Sequence, residues 1–112
     1  MTLDRKDQRI LQEARETYGL NAELLVAIEE LSELSAIVAK IPRYKTIEAA
    51  QDALKNRVLD EYVDVIIVLD HIRAAMDITE YQFEMRKNEK LERVERWLAT
   101  GSDIAISTII RE

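Results

Sequence analysis

Residues that interrupt helices are scarce and widely spaced in this chain. Two glycines and one proline occur in 112 residues, and Gly19, Pro42 and Gly101 separate long segments whose apolar residues recur at helical spacing. Short connections between such segments favour antiparallel helix neighbours. The pattern therefore predicts an all-α fold, an antiparallel bundle of four to five helices.

The predicted helices cover about residues 4–18, 21–40, 58–76 and 79–100. Asn21 and Thr79 are the predicted N-caps of the second and fourth helices, because their side-chain oxygens can accept from first-turn amides. Pro42 is expected to end the second helix. Residues 46–57 are predicted to be a separate polar stretch capped by Thr46.

The segment 58–76 can be interpreted as a buried strand or as a helix. Its β-branched run Val63–Val68 is also typical of a short buried strand. Apolar residues continue through Met76, far beyond a typical strand, and they surround nearly the whole helical circumference. We therefore expect the central helix of a bundle.

Length, charge and composition exclude several classes of protein. At 112 residues the chain has room for one domain, with a core at about 20–98 and a tail at 101–112. A net charge of -6 argues against binding to nucleic acid polymers or to an anionic membrane. Cysteine is absent, which excludes disulfides and thiolate chemistry. The first residues lack the apolar core of a signal peptide, so we expect a cytoplasmic protein.

Acidic pairs lie close to apolar surface on the two most apolar predicted helices. In the second helix, Glu30 falls just outside the predicted apolar arc and Glu33 lies near Val26; in the third, Glu61 and Asp64 share a stripe with apolar residues. The i, i+3 spacing brings each pair onto one helical face. The predicted arc of the second helix comprises Leu24, Ala27, Ile28, Leu31, Leu34 and Val38.

Four carboxylates would converge if these two faces met. Like charges so close together do not all remain ionised unless a cation joins them, so either their pKa values rise or a hard divalent cation binds. Mg²⁺ or Mn²⁺ suits a site made of carboxylates alone. The alternative is that the acids are ordinary surface charges paired with Lys40, Arg57 or Arg73.

The sequence around these acids resembles a known family. The segment Glu29–Glu33 followed by Glu61–Asp64 is similar to the EExxE…ExxD signature of the MazG-like, all-α nucleoside triphosphate pyrophosphohydrolases. The resemblance covers about residues 20–98 and includes the apolar flanks of both motifs. One departure is that Asp60, rather than Glu, precedes Glu61.

The resemblance implies Mg²⁺-dependent hydrolysis of a (deoxy)nucleoside triphosphate to the monophosphate and pyrophosphate. It also implies a catalytic set of five acids, in which Glu29 would help to orient or deprotonate the attacking water. The other four would be the metal ligands: Glu30, Glu33, Glu61 and Asp64. Members of the family usually form dimers or tetramers, so a homodimer or homotetramer is expected, and the tail at 101–112 is a candidate contact.

A triphosphate also needs cationic groups from the protein. Lys90 and Arg93 belong to a basic stripe on the fourth predicted helix, and Arg57 lies one turn before Glu61. We predict that these three bind the substrate. The alternative for the stripe is a set of i, i+4 salt bridges with Glu89 and Glu92.

Other chemistry has little support in the sequence. There is no P-loop motif, and one histidine without cysteine offers no evident nucleophilic triad. His71 is predicted to be structural or at the surface, pointing away from the acids. A non-catalytic helical module that binds another protein remains the competing function, and a related fold that has lost its activity is a third.

Overall fold

The computed structural model describes residues 2–44 and 46–101, which form five helices and no strand. The helices are α1 (Arg5–Tyr18), α2 (Leu20–Val38), α3 (Ile41–Tyr44), α4 (Glu48–Ala75) and α5 (Glu80–Thr100). The all-α prediction is confirmed. The chain divides into two compact units, Met1–Asp77 with α1 to α4 and Ile78–Glu112 with α5. Beyond Gly101, the predicted tail lies outside the described residues.

The main interface of the first unit lies between α2 and α4. Glu23 near the start of α2 pairs with His71 near the end of α4, whereas Glu30 further along α2 meets Glu61 in the middle of α4. The two helices are therefore antiparallel. Arg15 of α1 contacts Asp70, and α3 packs on α4.

The face that α2 turns toward α4 differs from the predicted apolar arc. Ala27 and Ile37 are buried, and Glu30 and Leu34 between them are half-buried. Their spacing of three or four residues forms one stripe, and Glu30 is a member of it. The predicted arc is wrong in part, because three of its residues are exposed: Ile28, Leu31 and Val38. Since α2 carries apolar residues on more than one face, the pattern did not show which face would pack.

The third predicted helix is longer than expected. Residues 48–57 belong to α4, and Ile47 rather than Thr46 is its N-cap, so the prediction of a separate stretch capped by Thr46 is wrong. Ala50, Leu54 and Val58 are half-buried at i, i+4 and i+8. This short apolar stripe, together with several strong helix formers, continues the helix in the N-terminal direction.

The ends of α2 also differ from the prediction. The helix begins at Leu20, with Gly19 at φ 92° as its N-cap, so Asn21 lies inside the first turn and is not the cap. It ends at Val38 rather than near Lys40. Pro42 lies in the first turn of α3, where its missing N–H is not needed, so it helps to begin a helix as well as following one.

Both flanking helices begin with a capping box, and the one at Thr79 confirms the predicted N-cap. In α1, Asp4 and Asp7 form a reciprocal capping box. In α5, the Thr79 hydroxyl accepts from Gln82 N at 3.1 Å, and Gly101 ends the helix at φ 62° in the left-handed region that suits glycine.

An apolar groove of about 400 Å³ lies between α1 and α4. Its lining includes Leu3, Ile10 and Leu11 from the α1 side, and Ile66 and Ile67 from α4. None of the α1 side chains is fully buried. The attachment of α1 to the unit therefore depends on half-buried side chains and on polar contacts. No helix among the described residues combines the length and apolar character needed to cross a bilayer.

Candidate metal centre

Three carboxylates converge at the interface between α2 and α4. One oxygen each from Glu30, Glu33 and Glu61 lies within 4.8 Å of the other two. The i, i+3 pair of α2 is brought to Glu61 because Glu30 and Glu61 occupy contact positions of the two antiparallel helices. Glu30 and Glu61 are half-buried, while Glu33 is exposed at the edge of the group. We call these three residues the acidic cluster.

Two oxygen atoms of the acidic cluster are buried without any hydrogen-bond partner. They are Oε2 of Glu30 and Oε2 of Glu61. A buried polar atom without a partner is costly, and native proteins usually satisfy such atoms with a donor, a water molecule or an ion. Within the described part of the first unit, no lysine or arginine forms an ion pair with the cluster. The cluster therefore has unused capacity to accept a cation.

The environment of Glu30 disfavours its charged form. Burial, then repulsion from Asp64 and Glu33, raises the pKa of Glu30 from 4.5 to about 7. The pKa of Glu61 is also raised, first by burial and then by the charge of Glu33. Near neutral pH the cluster consequently retains protons that isolated carboxyl groups would have lost.

A divalent cation fits this donor set. Carboxylate oxygens are hard ligands, which Mg²⁺ and Mn²⁺ prefer, and the cluster contains neither thiolate nor imidazole. Glu30, Glu33 and Glu61 are the residues that would hold such a cation. Because a bound cation would replace protons on Glu30 and Glu61, its binding would weaken as the pH falls below about 7.

The other predicted acids have different positions. Asp64 is half-buried and is not one of the three convergent residues, yet its charge acts on both Glu30 and Glu61. Glu29 is exposed on α2 and lies outside the cluster. The geometry thus distinguishes three convergent acids, a fourth in electrostatic contact, and a fifth that faces solvent.

The predicted cationic residues lie on two helices. Arg57 is exposed on α4, one turn before Glu61. Lys90 and Arg93 are half-buried residues of α5 in the second unit. Ion pairs within that helix include Arg86 with Glu89, at 3.5 Å, and Lys87 with Glu84.

A second charged cluster, around Asp70 and His71, was not predicted from the sequence. His71 is only 2% exposed, so the surface alternative for it is wrong and the structural one is right. Burial alone would raise the pKa of its neighbour Asp70, but hydrogen bonds from Arg73 and Arg15 outweigh that effect and lower the pKa. The available signal was an adjacent Asp and His in the apolar C-terminal half of α4.

The chain was compared with known proteins at three levels. No family model, no curated protein and no solved structure matches it. The resemblance to the MazG-like family therefore stays a prediction based on the two motifs, and the geometry of the acidic cluster is the structural basis for assigning a function.

Replacing Glu30 tests the electrostatics of the cluster. Between pH 4.5 and about 7, folded Glu30 holds a proton that the unfolded chain has lost, so this residue lowers the free energy of unfolding as the pH rises. We expect Glu30→Gln to have a higher melting temperature than the wild type at pH 8 in EDTA, with the difference shrinking toward pH 4.

The exposed neighbour provides the control. Glu29→Gln, the same substitution one residue earlier, should show no such pH-dependent gain in melting temperature. If the difference between Glu30→Gln and the wild type were the same at pH 4 and pH 8, the carboxyl of Glu30 would not be perturbed as described.

Proposed function

We propose that this chain is a Mg²⁺-dependent nucleoside triphosphate pyrophosphohydrolase of the MazG-like, all-α type, acting in the cytoplasm. The observation that carries the proposal is the convergence of Glu30, Glu33 and Glu61 between two antiparallel helices, with two buried oxygens unpartnered. The order and spacing of the motifs supply the reaction class, the conversion of a (deoxy)nucleoside triphosphate to its monophosphate and pyrophosphate.

Each acid has a proposed role in holding the cation. Glu30, Glu33, Glu61 and Asp64 would be its ligands, with Mn²⁺ as an alternative to Mg²⁺. When bound, such a cation polarises phosphoryl oxygens and makes its water ligands more acidic. The raised pKa values of Glu30 and Glu61 mean that these side chains give up protons as they become ligands.

Glu29 has a different proposed role from the four ligands. It is exposed beside Glu30, where its carboxylate remains available to a water molecule from solvent. A carboxylate in that position can orient the attacking water or accept its proton. Arg57, Lys90 and Arg93 are the proposed partners of the substrate phosphates, because guanidinium and ammonium groups form charge-assisted hydrogen bonds with phosphate oxygens.

Hydrolysis of a nucleotide panel tests the activity. With Mg²⁺ and each of the common NTPs and dNTPs, we expect at least one to yield monophosphate and pyrophosphate. Glu61→Gln should lower kcat/KM by at least about 100-fold, because it removes a ligand. Asp60→Asn, which neutralises the adjacent exposed carboxylate, should retain activity. Mg²⁺ should raise the melting temperature of the wild type and not that of Glu61→Gln.

The same experiment distinguishes the proposed enzyme from the two competing functions. A protein-interaction module would hydrolyse none of the nucleotides, and Mg²⁺ would leave its melting temperature unchanged. A related fold that has lost its activity would respond to Mg²⁺ in the melting experiment and still release no pyrophosphate.

The substrate contacts are tested through KM. Arg57→Gln and Lys90→Glu should each raise KM about 10-fold or more, since a hydrogen bond to a charged group contributes about 1.5–3 kcal/mol. Lys55→Gln on α4 and Lys87→Glu on α5 are the matched controls and should leave KM unchanged. Unchanged KM in either test variant would remove that residue from the site.

Homo-oligomerisation belongs to the same proposal. Ile28, Leu31 and Val38 form an exposed apolar stripe on α2, with side chains 61%, 39% and 47% exposed. Exposed apolar side chains on one helical face are typical of protein interfaces. We propose that a second copy of the chain covers this stripe, in a homodimer or a homotetramer.

Sedimentation tests the assembly. The wild type should sediment as a dimer or tetramer at micromolar concentration, and the double variant Ile28→Glu, Leu31→Glu should sediment as a monomer because buried carboxylates oppose the contact. Ala22→Glu, on another face of α2, should sediment like the wild type. A monomeric wild type would contradict the proposal.

A further inference from the structure

A buried ionic cluster joins three helices at the other end of the α2–α4 interface. Arg15 of α1 donates from Nη1 to Asp70 Oδ2 at 3.0 Å, and the same nitrogen lies 2.9 Å from His71 Nδ1. On the opposite side of the ring, His71 Nε2 lies 3.1 Å from Glu23 Oε2 of α2. His71 is 2% exposed and Asp70 6%. These four residues connect α1 to both α2 and α4.

The geometry selects one protonation state of His71. A guanidinium group only donates hydrogen bonds, so Nδ1 beside Arg15 must accept and carries no proton. The single ring proton is then on Nε2, where it is donated to Glu23. A second proton on Nδ1 would remove the hydrogen bond from Arg15 and place two cations side by side.

Charged groups reach His71 from both of the helices that approach it. Arg15 on α1 opposes the imidazolium, while Glu23 on α2 and Asp70 on α4 itself favour it. Arg73 acts on the other oxygen of Asp70, at 2.9 Å. Helix α3 also packs on α4, but its charged residue Arg43 is not among the groups that shift the pKa of His71. Burial is the largest influence, and together with Arg15 it lowers the pKa of His71.

The contact with His71 and Asp70 is an important attachment of α1. Leu11, Ala14 and Arg15 are only half-buried, and α1 contributes no fully buried side chain. Weakening the Arg15 contact therefore removes a large part of what holds the helix. We propose that the Arg15–His71–Glu23–Asp70 cluster is a pH-dependent latch, in which protonation of His71 releases α1 from the α2–α4 pair.

Release would expose apolar surface. The groove between α1 and α4 is already lined by Val63, Ile66 and Ile67 of α4, and departure of α1 would uncover these residues further. Acidification is thus expected to increase binding of a dye such as ANS, which reports exposed apolar surface.

The single histidine makes the protonation state directly measurable. NMR of the wild-type imidazole at pH 7.5 should show the Nε2–H tautomer, and its titration midpoint should lie below the ordinary value of 6.5. A predominant Nδ1–H tautomer, or a midpoint at or above 6.5, would overturn the latch.

Hydrogen exchange measures the release itself. After correction for the intrinsic pH dependence of exchange, protection of α1 amides in the wild type should fall as the pH decreases from 6.5 to the midpoint and level off below it, while α4 amides keep more of theirs. By linkage, each pH unit between the midpoint and 6.5 corresponds to about 10-fold lost protection. Equal losses in α1 and α4, or no loss in α1, would contradict the proposal.

Three variants separate the latch from general acid effects, including the titration of Glu30. His71→Gln cannot gain a proton in this range, so its α1 protection should not drop between pH 6.5 and the wild-type midpoint. Arg15→Met should have low α1 protection on both sides of the midpoint. Arg9→Met, the same substitution at an exposed position of α1, should behave like the wild type. A drop in His71→Gln equal to that of the wild type would assign the release to another group.

Discussion

The antiparallel packing of α2 on α4 is the constraint on which the rest of the structure depends. Each helix contributes one stripe with residues every three or four positions, and each stripe mixes apolar and acidic side chains. Ala27 and Ile37 on α2 are buried, as are Val65 and Val68 on α4. The burial of these residues fixes the distance between the helices. Glu30 and Glu61, which belong to the same stripes, are thereby held together despite their repulsion.

The same interface contains two charged clusters of opposite character. Around Asp70 and His71, arginines from two helices supply the positive charge, and the buried polar atoms find partners at 2.9–3.1 Å. In the acidic cluster, by contrast, the Oε2 atoms of Glu30 and Glu61 are buried without partners. Because the hydrogen bonds of the first arrangement are satisfied within the first unit, it holds helices together and has no unpartnered oxygen that calls for a ligand. The second is unsatisfied, which makes it the candidate for binding and chemistry.

Local signals in the sequence predicted where the helices lie better than they predicted which faces of the helices pack together. The capping residue Thr79 acts over a few residues, and the local sequence alone specifies it. The start of α4 was placed incorrectly because residues 48–57 have few apolar side chains, although Ala50 and Leu54 continue its stripe. The segment is helical although it is mostly polar, because its residues have high helix propensity and Ala50 and Leu54 form a short apolar stripe.

The acids themselves could be found by spacing, but their arrangement could not. Glu30 was expected beside the contact face and lies on it, because α2 is apolar on two faces and the sequence does not show which one meets α4. The same ambiguity concealed Glu23, which extends that stripe toward His71. Tertiary packing decides between the faces, and it therefore decides which carboxylates converge.

The most direct measurement of the central claim is anomalous diffraction from crystals grown with Mn²⁺. The account predicts a strong anomalous peak within bonding distance of carboxylate oxygens from Glu30, Glu33 and Glu61. The result that would contradict it is well-ordered density for these three side chains with no peak between them at millimolar Mn²⁺.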